Sequence, residues 1–175
     1  SAPELPRSAN YASGWRTPPP PDRTRPAILA TKEGRPTARY DRTLPLEVWY
    51  PALLAAGQKP GGDYRAITRD PAITATLHGQ AVRDAAPLAS EAPFPLVIIS
   101  HGYPGNRYLM SHLAENLASK GFVTVSIDHK DSTYDDQKPF ASTLYNRGLD
   151  DLFVLNEMER LGKAGSGSFL DGRLD

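Results

Sequence analysis

Two short apolar runs, separated by a segment of helix length, constrain this chain more than any other feature. Residues 96–100 and 122–128 have the continuous apolar character of strands that are buried on both faces. Leucines recur at every fourth position in the segment between them: Leu109, Leu113 and Leu117. Gly121 follows this segment and is placed as a helix stop. The pattern predicts two adjacent parallel strands joined by a right-handed crossover helix over residues 108–120.

The N-terminal part of the chain has a different character. Residues 1–26 include four consecutive prolines after Thr17, a run that cannot be helical and predicts a polyproline-like arm. Residues 27–30 are apolar, and residues 44–51 alternate apolar and polar side chains. With a Gly-Arg-Pro turn between them, these two segments predict an antiparallel hairpin. Pro45 restricts the second strand of this hairpin to an edge-tolerant position.

The remaining segments are less regular. Residues 57–64 are predicted to be a loop, and residues 73–82 have room for a short helix. A second long helix is predicted over residues 144–161. Its expected buried face consists of apolar side chains: Leu149, Leu152, Phe153, Leu155 and Met158.

Composition excludes several classes of protein. The 175 residues carry 20 basic and 20 acidic side chains, so the chain lacks the basic field that a nucleic-acid or membrane-surface protein needs. It has no cysteine, which excludes disulfides, cysteine metal sites and a cysteine nucleophile within these residues. No apolar run approaches the roughly 18 residues of a transmembrane helix. Because the sequence begins with serine instead of methionine, we expect a chain that was trimmed either biologically or by design, and a periplasmic or secreted location.

The expected chemistry lies in two loops. Ligands bind beyond the carboxyl ends of strands in open parallel sheets, which selects residues 101–107 and 128–136. A glycine-containing loop after a strand can direct a backbone N–H outward at an anion, as an oxyanion hole requires. The amide of Tyr103 is such a donor, and Gly102 before it gives the chain freedom to turn.

The residues of these loops resemble a known family. Residues 100–107 (Ser-His-Gly-Tyr-Pro-Gly-Asn-Arg), 121–123 (Gly-Phe-Val) and 127–131 (Ile-Asp-His-Lys-Asp) are similar to motifs of the α/β-hydrolase superfamily. The most similar branch contains platelet-activating-factor acetylhydrolase and bacterial dienelactone-hydrolase-like esterases. Residues 46–51 resemble the second strand of that family. The resemblance, over about residues 44–160, implies an α/β fold that forms the N-terminal half of an α/β-hydrolase sheet, an antiparallel hairpin followed by a parallel βαβ unit.

The resemblance also implies roles for individual residues. The backbone N–H of Tyr103 would supply one donor of the oxyanion hole. His101 would be structural, with its ring bracing the loop, and Gly102, Pro104 and Gly105 would support that loop. The implied activity is serine hydrolase chemistry on a small carboxylic ester, without a cofactor.

The sequence departs from the family at the nucleophile. The family places its serine in G-x-S-x-G on the turn after the fifth strand, and no serine here has glycine at both −2 and +2. Ser100 is preceded at −2 by Ile98, and Ser166 and Ser168 also fail this test. We therefore expect residues 27–175 to be the N-terminal part of a hydrolase domain that ends before the nucleophile elbow. The serine, acid and histidine would lie in a further C-terminal segment, in the same gene product or in a second chain, which is the expected partner.

The second loop also carries side chains that suit other kinds of site. Five acidic and imidazole side chains in the second loop could be metal ligands, but their spacing matches no EF-hand or zinc motif, so no metal is expected: Asp128, His129, Asp131, Asp135 and Asp136. A triad of Ser126 with His129 and Asp131 is rejected, because Ser126 lies inside a buried strand without an elbow. Tyr134 and Tyr145 are possible residues of a substrate rim.

The alternative function is a non-catalytic α/β module that uses its half-sheet as a binding or interaction surface. An exposed central strand would then carry a long unpaired edge, which natural folds avoid, and this favours the hydrolase. Trp15 and Trp49 are interpreted as packing residues.

Overall fold

The computed structural model describes residues 11–18, 24–35, 37–90 and 93–175. In this part of the chain, a mixed six-stranded sheet is accompanied by two helices and two small two-stranded sheets, as the predicted α/β class requires. The helices are α1, Ser111–Ser119, and α2, Phe140–Gly162. The strands are β1 Ala12–Arg16, β2 Thr24–Pro26, β3 Arg39–Asp41, β4 Leu46–Leu53, β5 Gly62–Ile67, β6 Thr74–Gly79, β7 Val82–Arg83, β8 Ala86–Pro87, β9 Leu96–Ser100 and β10 Val123–Ile127.

The predicted parallel unit is present. β9 and β10 pair in parallel, from Leu96 opposite Val123 to Ser100 opposite Ile127, and α1 connects them. The chain leaves α1 through Gly121, whose φ of +93° is a left-handed conformation that favours glycine. The main sheet has the order β7-β1-β4-β10-β9, with β8 pairing to the end of β4.

The buried face of α1 differs from the predicted leucine stripe. Leu109 precedes the helix and is 43% exposed, while Leu113 and Leu117 are half-buried. The buried positions of the helix are Ser111, Ala114, Glu115 and Ala118. Apart from Glu115, the side chains on this face are small and let the helix pack closely on the sheet, where leucines would hold it further away.

β4 lies in the middle of the sheet and not in the predicted hairpin. It pairs antiparallel with β1 on one side and with β10 on the other. Residues Ile28–Ala30 form a short 3-10 turn, and the preceding β2 pairs with β3 instead. Pro45 does not limit β4 to an edge because it precedes the strand, where its carbonyl accepts a hydrogen bond from the N–H of Asp128 at 2.8 Å.

The predicted N-terminal arm contains a strand of the main sheet. Residues 12–16 form β1, in which Trp15 lies opposite Trp49 of β4. Both indole rings are buried and pack edge-on against the ring of Tyr64, as expected for packing residues. Residues 12–16 of the predicted arm therefore belong to the main sheet, while residues 1–10 and 19–23 lie outside the described residues.

Two further predictions are corrected by the structure. Residues 73–82 do not form a helix, because β5 and β6 pair as an antiparallel hairpin from Gly62 opposite Gly79 to Ile67 opposite Thr74. The loop predicted over residues 57–64 therefore ends where β5 begins.

The buried face of α2 is mostly polar. Its buried residues are Ser142, Thr143, Asn146, Asp150, Val154, Met158 and Gly162. Of the predicted apolar set, only Met158 is fully buried, whereas Leu152 is 55% exposed.

β9 forms the outer end of the sheet order. Beside its start, Phe94 forms a parallel bridge with Leu174, supported by hydrogen bonds from Phe94 N–H to Arg173 O and from Asp175 N–H to Phe94 O. A groove of about 680 Å³ runs along this edge and is lined in part by Leu96 and Ile98. In the described ranges, no helix combines the length and the apolar composition needed to cross a membrane.

Candidate active site

The loops that follow β9 and β10 meet at the carboxyl edge of the sheet, as parallel neighbours must. Gly105 of the first loop bridges to Thr133 of the second. Its N–H donates to Ser132 O at 3.1 Å, and its carbonyl accepts from Tyr134 N–H at 3.3 Å. The two predicted loops therefore form one surface, and this contact brings Gly105 and Tyr134 together.

The buried ring of His101 contacts the backbone of both loops. Its Nδ1 lies 2.7 Å from the carbonyl oxygen of Gly102, and its Nε2 lies 3.2 Å from the backbone N of His129. Burial lowers the pKa of His101 to about 4, with further lowering from His129 and Arg147. The imidazole is therefore neutral at pH 7, with its proton on Nδ1, because Nε2 accepts from the His129 amide. This placement agrees with a bracing role and leaves neither nitrogen for proton transfer.

The two loop glycines have different reasons to be glycine. A Cβ on Gly105 would lie 2.7 Å from Nδ1 of His101, so the close approach of backbone to ring requires glycine there. A Cβ on Gly102 would meet nothing within 4 Å, and this residue has no positive φ. Neither the space around Gly102 nor its backbone conformation therefore requires glycine, contrary to the expectation from the sequence.

Tyr103 lies at the centre of the first loop with its backbone amide uncommitted. Within the described residues, its N–H makes no hydrogen bond. Its hydroxyl donates to the carbonyl of Lys138, and its ring contacts Phe140 edge-on at 5.0 Å between centroids. Pro104 follows through a cis peptide bond. The side chain thus ties the loop to the start of α2 and the amide is left available.

Arg147 of α2 was not singled out from the sequence, yet it binds this loop most extensively. Its guanidinium donates to the carbonyls of His101 and Gly102, the latter at 3.1 Å, and to Ser132 Oγ at 2.9 Å. One side chain therefore bridges the first loop, the second loop and α2. A fork of donors suits such contacts because guanidinium groups present parallel N–H bonds.

A hydrogen-bonded chain runs beneath the same loops. Ser100 Oγ lies 2.8 Å from Nε2 of His129, and Nδ1 of His129 lies 3.0 Å from Oδ2 of Asp150. Arg42 holds both carboxylate oxygens of Asp150 at 2.8 Å. Burial alone would raise the pKa of Asp150, but the hydrogen bonds from Arg42 and His129 outweigh it and the pKa is lowered.

Ser100, His129 and Asp150 supply the atoms of a Ser-His-Asp triad, and Ser100 is exposed, but the histidine is enclosed. His129 is 1% exposed, and a catalytic histidine must reach the leaving group as well as the serine. The bidentate Arg42 also neutralises the carboxylate that would otherwise stabilise an imidazolium ion. Ser100 ends β9 opposite Ile127, in an extended strand and not on a sharp turn. The arrangement therefore supports the loops.

The triad rejected from the sequence is also not assembled. The Ser126 hydroxyl is buried without a hydrogen-bond partner in the described structure, and Asp131 pairs with Arg42 at 3.0 Å. Asp128 is bound by the guanidinium of Arg107. Among the described residues, no group of His, Asp and Glu side chains is arranged to hold a metal ion.

The two predicted rim tyrosines lie in different settings. Tyr134 is half-buried and its backbone joins the first loop, while Tyr145 is 45% exposed on α2. Substrate contact stays a prediction for both.

A further network was missed by sequence reasoning: Glu47 of β4 is fully buried and accepts hydrogen bonds from Arg107 and Tyr108. Its only sequence signal was that Glu47 is the one charged residue within residues 44–51.

The sheet order, the parallel crossover and the loops at its carboxyl edge define an α/β-hydrolase-like fold. Residues 68–142 match the family model for platelet-activating factor acetylhydrolase, isoform II. The structure is similar to that of ferulic acid esterase from Streptomyces cinnamoneus, with a TM-score of 0.61 and 22% sequence identity over 98% of this chain. The chain spans about half of that esterase, covering 52% of its length. These findings confirm the predicted resemblance to the esterase branch of the α/β-hydrolases.

Proposed function

We propose that this chain is the N-terminal part of a serine hydrolase that cleaves small carboxylic esters through an acyl-enzyme. The observation that carries the proposal is the amide of Tyr103, which makes no hydrogen bond in the described residues although its loop is held on several sides. In ester cleavage the carbonyl oxygen becomes negatively charged in the tetrahedral intermediate. A fixed N–H aimed at that oxygen stabilises the charge without reorganisation during the reaction.

The nucleophile and its general base would come from a further segment of the hydrolase. His101 and His129 cannot serve as the base, because His101 has both ring nitrogens engaged and His129 is enclosed. None of the serines in the sequence has the G-x-S-x-G pattern. The division of labour is therefore one oxyanion donor from this chain, and the serine, acid and histidine from the remainder.

The open edge of β9 is where we place a strand of that segment. The parallel bridge between Phe94 and Leu174 starts beside β9, and the chain at Leu174 runs in the same direction as β9. A strand that continues this pairing would fill the groove along Leu96 and Ile98. Its carboxyl end would then lie next to Tyr103, where a nucleophile on the following turn meets the oxyanion donor.

The experiment compares the full-length hydrolase with residues 1–175 alone on p-nitrophenyl acetate, with and without a fluorophosphonate. We expect fluorophosphonate-sensitive hydrolysis from the full-length protein and none from residues 1–175, because an activated serine cannot be assembled from them. Hydrolysis by residues 1–175, abolished by Ser100→Ala, would instead make Ser100 the nucleophile. A full-length protein without esterase activity would favour the non-catalytic module.

The oxyanion donor is tested separately, by replacing the Tyr103 amide with an ester linkage in the full-length protein. Loss of one such donor typically lowers kcat by about 10²–10³-fold. Tyr103→Phe is the matched control, because it keeps the N–H and removes only the hydroxyl that binds Lys138. If the ester linkage and Tyr103→Phe have equal effects, the amide is not the donor.

A further inference from the structure

The peptide group between Gly102 and Tyr103 is held by its oxygen. The Gly102 carbonyl accepts from Nδ1 of His101 at 2.7 Å and from Nη2 of Arg147 at 3.1 Å. The neighbouring carbonyl of His101 also accepts from the guanidinium of Arg147. Two donors on one oxygen, with the same guanidinium on the preceding carbonyl, leave this peptide little freedom to rotate.

The direction of the Tyr103 amide follows from that of the Gly102 oxygen. The two groups belong to one planar trans peptide, in which C=O and N–H point in opposite directions. Because His101 and Arg147 hold the oxygen toward α2 and the interior, the N–H points away from both. A rotation that turned the amide inward would break the bonds from both donors.

From this geometry we infer that Arg147 is a positioning residue of the oxyanion hole, acting through the Gly102–Tyr103 peptide with His101 as the second holder of the same oxygen. The inference rests on the proposed function for its catalytic consequence, but the orientation of the peptide can be measured without any activity. Arginine is required because a guanidinium reaches two successive carbonyls and Ser132 at once. A lysine ammonium is a point donor that would serve fewer of them.

The activity test uses Arg147→Gln, Arg147→Lys and the control Arg160→Gln in the full-length protein. Arg160 lies on the same helix but is exposed and pairs only with Glu157 in the described structure. Misplacing a catalytic group by about 1 Å can cost 10²-fold, so we expect Arg147→Gln to lower kcat by about that factor with KM nearly unchanged. Arg147→Lys should be intermediate, and Arg160→Gln should match the wild type.

A second readout separates positioning from general loss of structure. A boronic acid that mimics the tetrahedral intermediate should lose affinity in proportion to kcat/KM across the variants. Added guanidinium ion should partly restore kcat in an Arg147→Ala protein. A parallel rise in KM, or a loss of kcat that the boronic acid affinity does not follow, would overturn the inference.

The orientation itself is measured by NMR on the same full-length proteins. We expect the carbonyl ¹³C of Gly102 and the amide ¹⁵N of Tyr103 to shift in Arg147→Gln and to stay in place in Arg160→Gln. Unchanged Gly102 and Tyr103 signals in Arg147→Gln would refute the inference even if the protein is an esterase. A wild type that hydrolyses no ester would refute the proposed function, while the NMR result would still decide the role of Arg147.

Discussion

The two helices each bury one carboxylate, and they do so in opposite ways. Glu115 of α1 accepts hydrogen bonds from the backbone N–H groups of Gln80 and Ala81 and from the hydroxyl of Tyr64. Asp150 of α2 is fully buried against the guanidinium of Arg42 and the ring of His129. One carboxylate is met by neutral donors and the other by a full positive charge.

The difference reflects what each carboxylate joins. Glu115 fixes the turn after the β5–β6 hairpin onto α1 and also binds the hydroxyl of Tyr64. Asp150 ties α2 to the segment before β4 and to the loop after β10, one helical turn beyond Arg147. Asp150 therefore joins α2 directly to the loop after β10, whereas Glu115 reaches the region after β9 only indirectly, through Tyr64 and Tyr108.

The largest effect is expected from breaking the Arg42 pair. Arg42→Met leaves Asp150 and Asp131 buried without their cation, and removal of one partner of a buried pair costs about 3–5 kcal/mol. Urea unfolding monitored by circular dichroism measures the loss. Arg160→Met, which breaks an exposed pair with Glu157, should cost less than about 1 kcal/mol. Equal losses in the two variants would show that the buried Arg42 pair contributes no more to stability than an exposed ion pair does.

The next effect depends on pH and comes from His101. Its pKa is lowered from the ordinary 6.5 to about 4 in the folded protein. Between pH 6.5 and pH 4, the unfolded chain therefore binds a proton at this residue that the folded chain does not bind. Stability from this group is fully present above about pH 6.5 and is lost as the pH falls to about 4. The loss is on the order of 3 kcal/mol at 1.36 kcal/mol per pKa unit.

The measurement is the free energy of unfolding of the wild type and of His101→Gln from pH 7 to pH 4. The variant should lack this part of the decline, while His78→Gln, at an exposed position, should keep it. A wild type and His101→Gln with parallel pH profiles would contradict the buried neutral imidazole.

Glu115→Gln should have a smaller effect than Arg42→Met. It keeps one acceptor oxygen near Gln80 and Ala81 but removes the charge that strengthens these bonds. We expect a loss of about 2 kcal/mol in free energy of unfolding, against less than about 0.5 kcal/mol for the exposed Glu159→Gln. A loss as large as that of Arg42→Met would remove the distinction between the two carboxylates.

The smallest effect is expected on the outer face of α2. Leu152→Gln in residues 1–175 should change stability by no more than about 0.5 kcal/mol, because the side chain is 55% exposed. Ala118→Gln in α1 should cost about 1–3 kcal/mol through overpacking, since Ala118 is fully buried. If the further hydrolase segment covers α2, Leu152→Gln should cost more in the full-length protein than in residues 1–175. Equal costs would place that segment elsewhere.

The parallel unit could be predicted from the sequence because its signals are local. Continuous apolar runs, a leucine period and Gly121 all lie within residues 96–128, and strand pairing there follows from one short crossover. The resemblance extended the prediction to the loop after β9, where the ring of His101 lies against Gly105 and the carbonyl of Gly102.

The rest depended on contacts between distant residues, which no local pattern contains. β4 pairs with β10 far along the chain, so the alternation of residues 44–51 could not reveal that both edges of the strand are covered. The leucines of α2 suggested a buried face, but the buried face is set by Asp150 and Asn146 reaching a polar network. Arg147 gave no signal because an arginine on a helix is usually solvated.

On the ribosome, β4 meets its two neighbours at very different times. β1 is already synthesised when Leu46–Leu53 emerges, but β10 follows only after residues 54–122. At about 5–20 residues per second, one edge of an apolar strand waits on the order of several seconds without its partner. Unpaired apolar edges invite association with other chains. We therefore expect stalled nascent chains that stop before residue 123 to hold a chaperone at residues 46–53, and chains that expose β10 to release it.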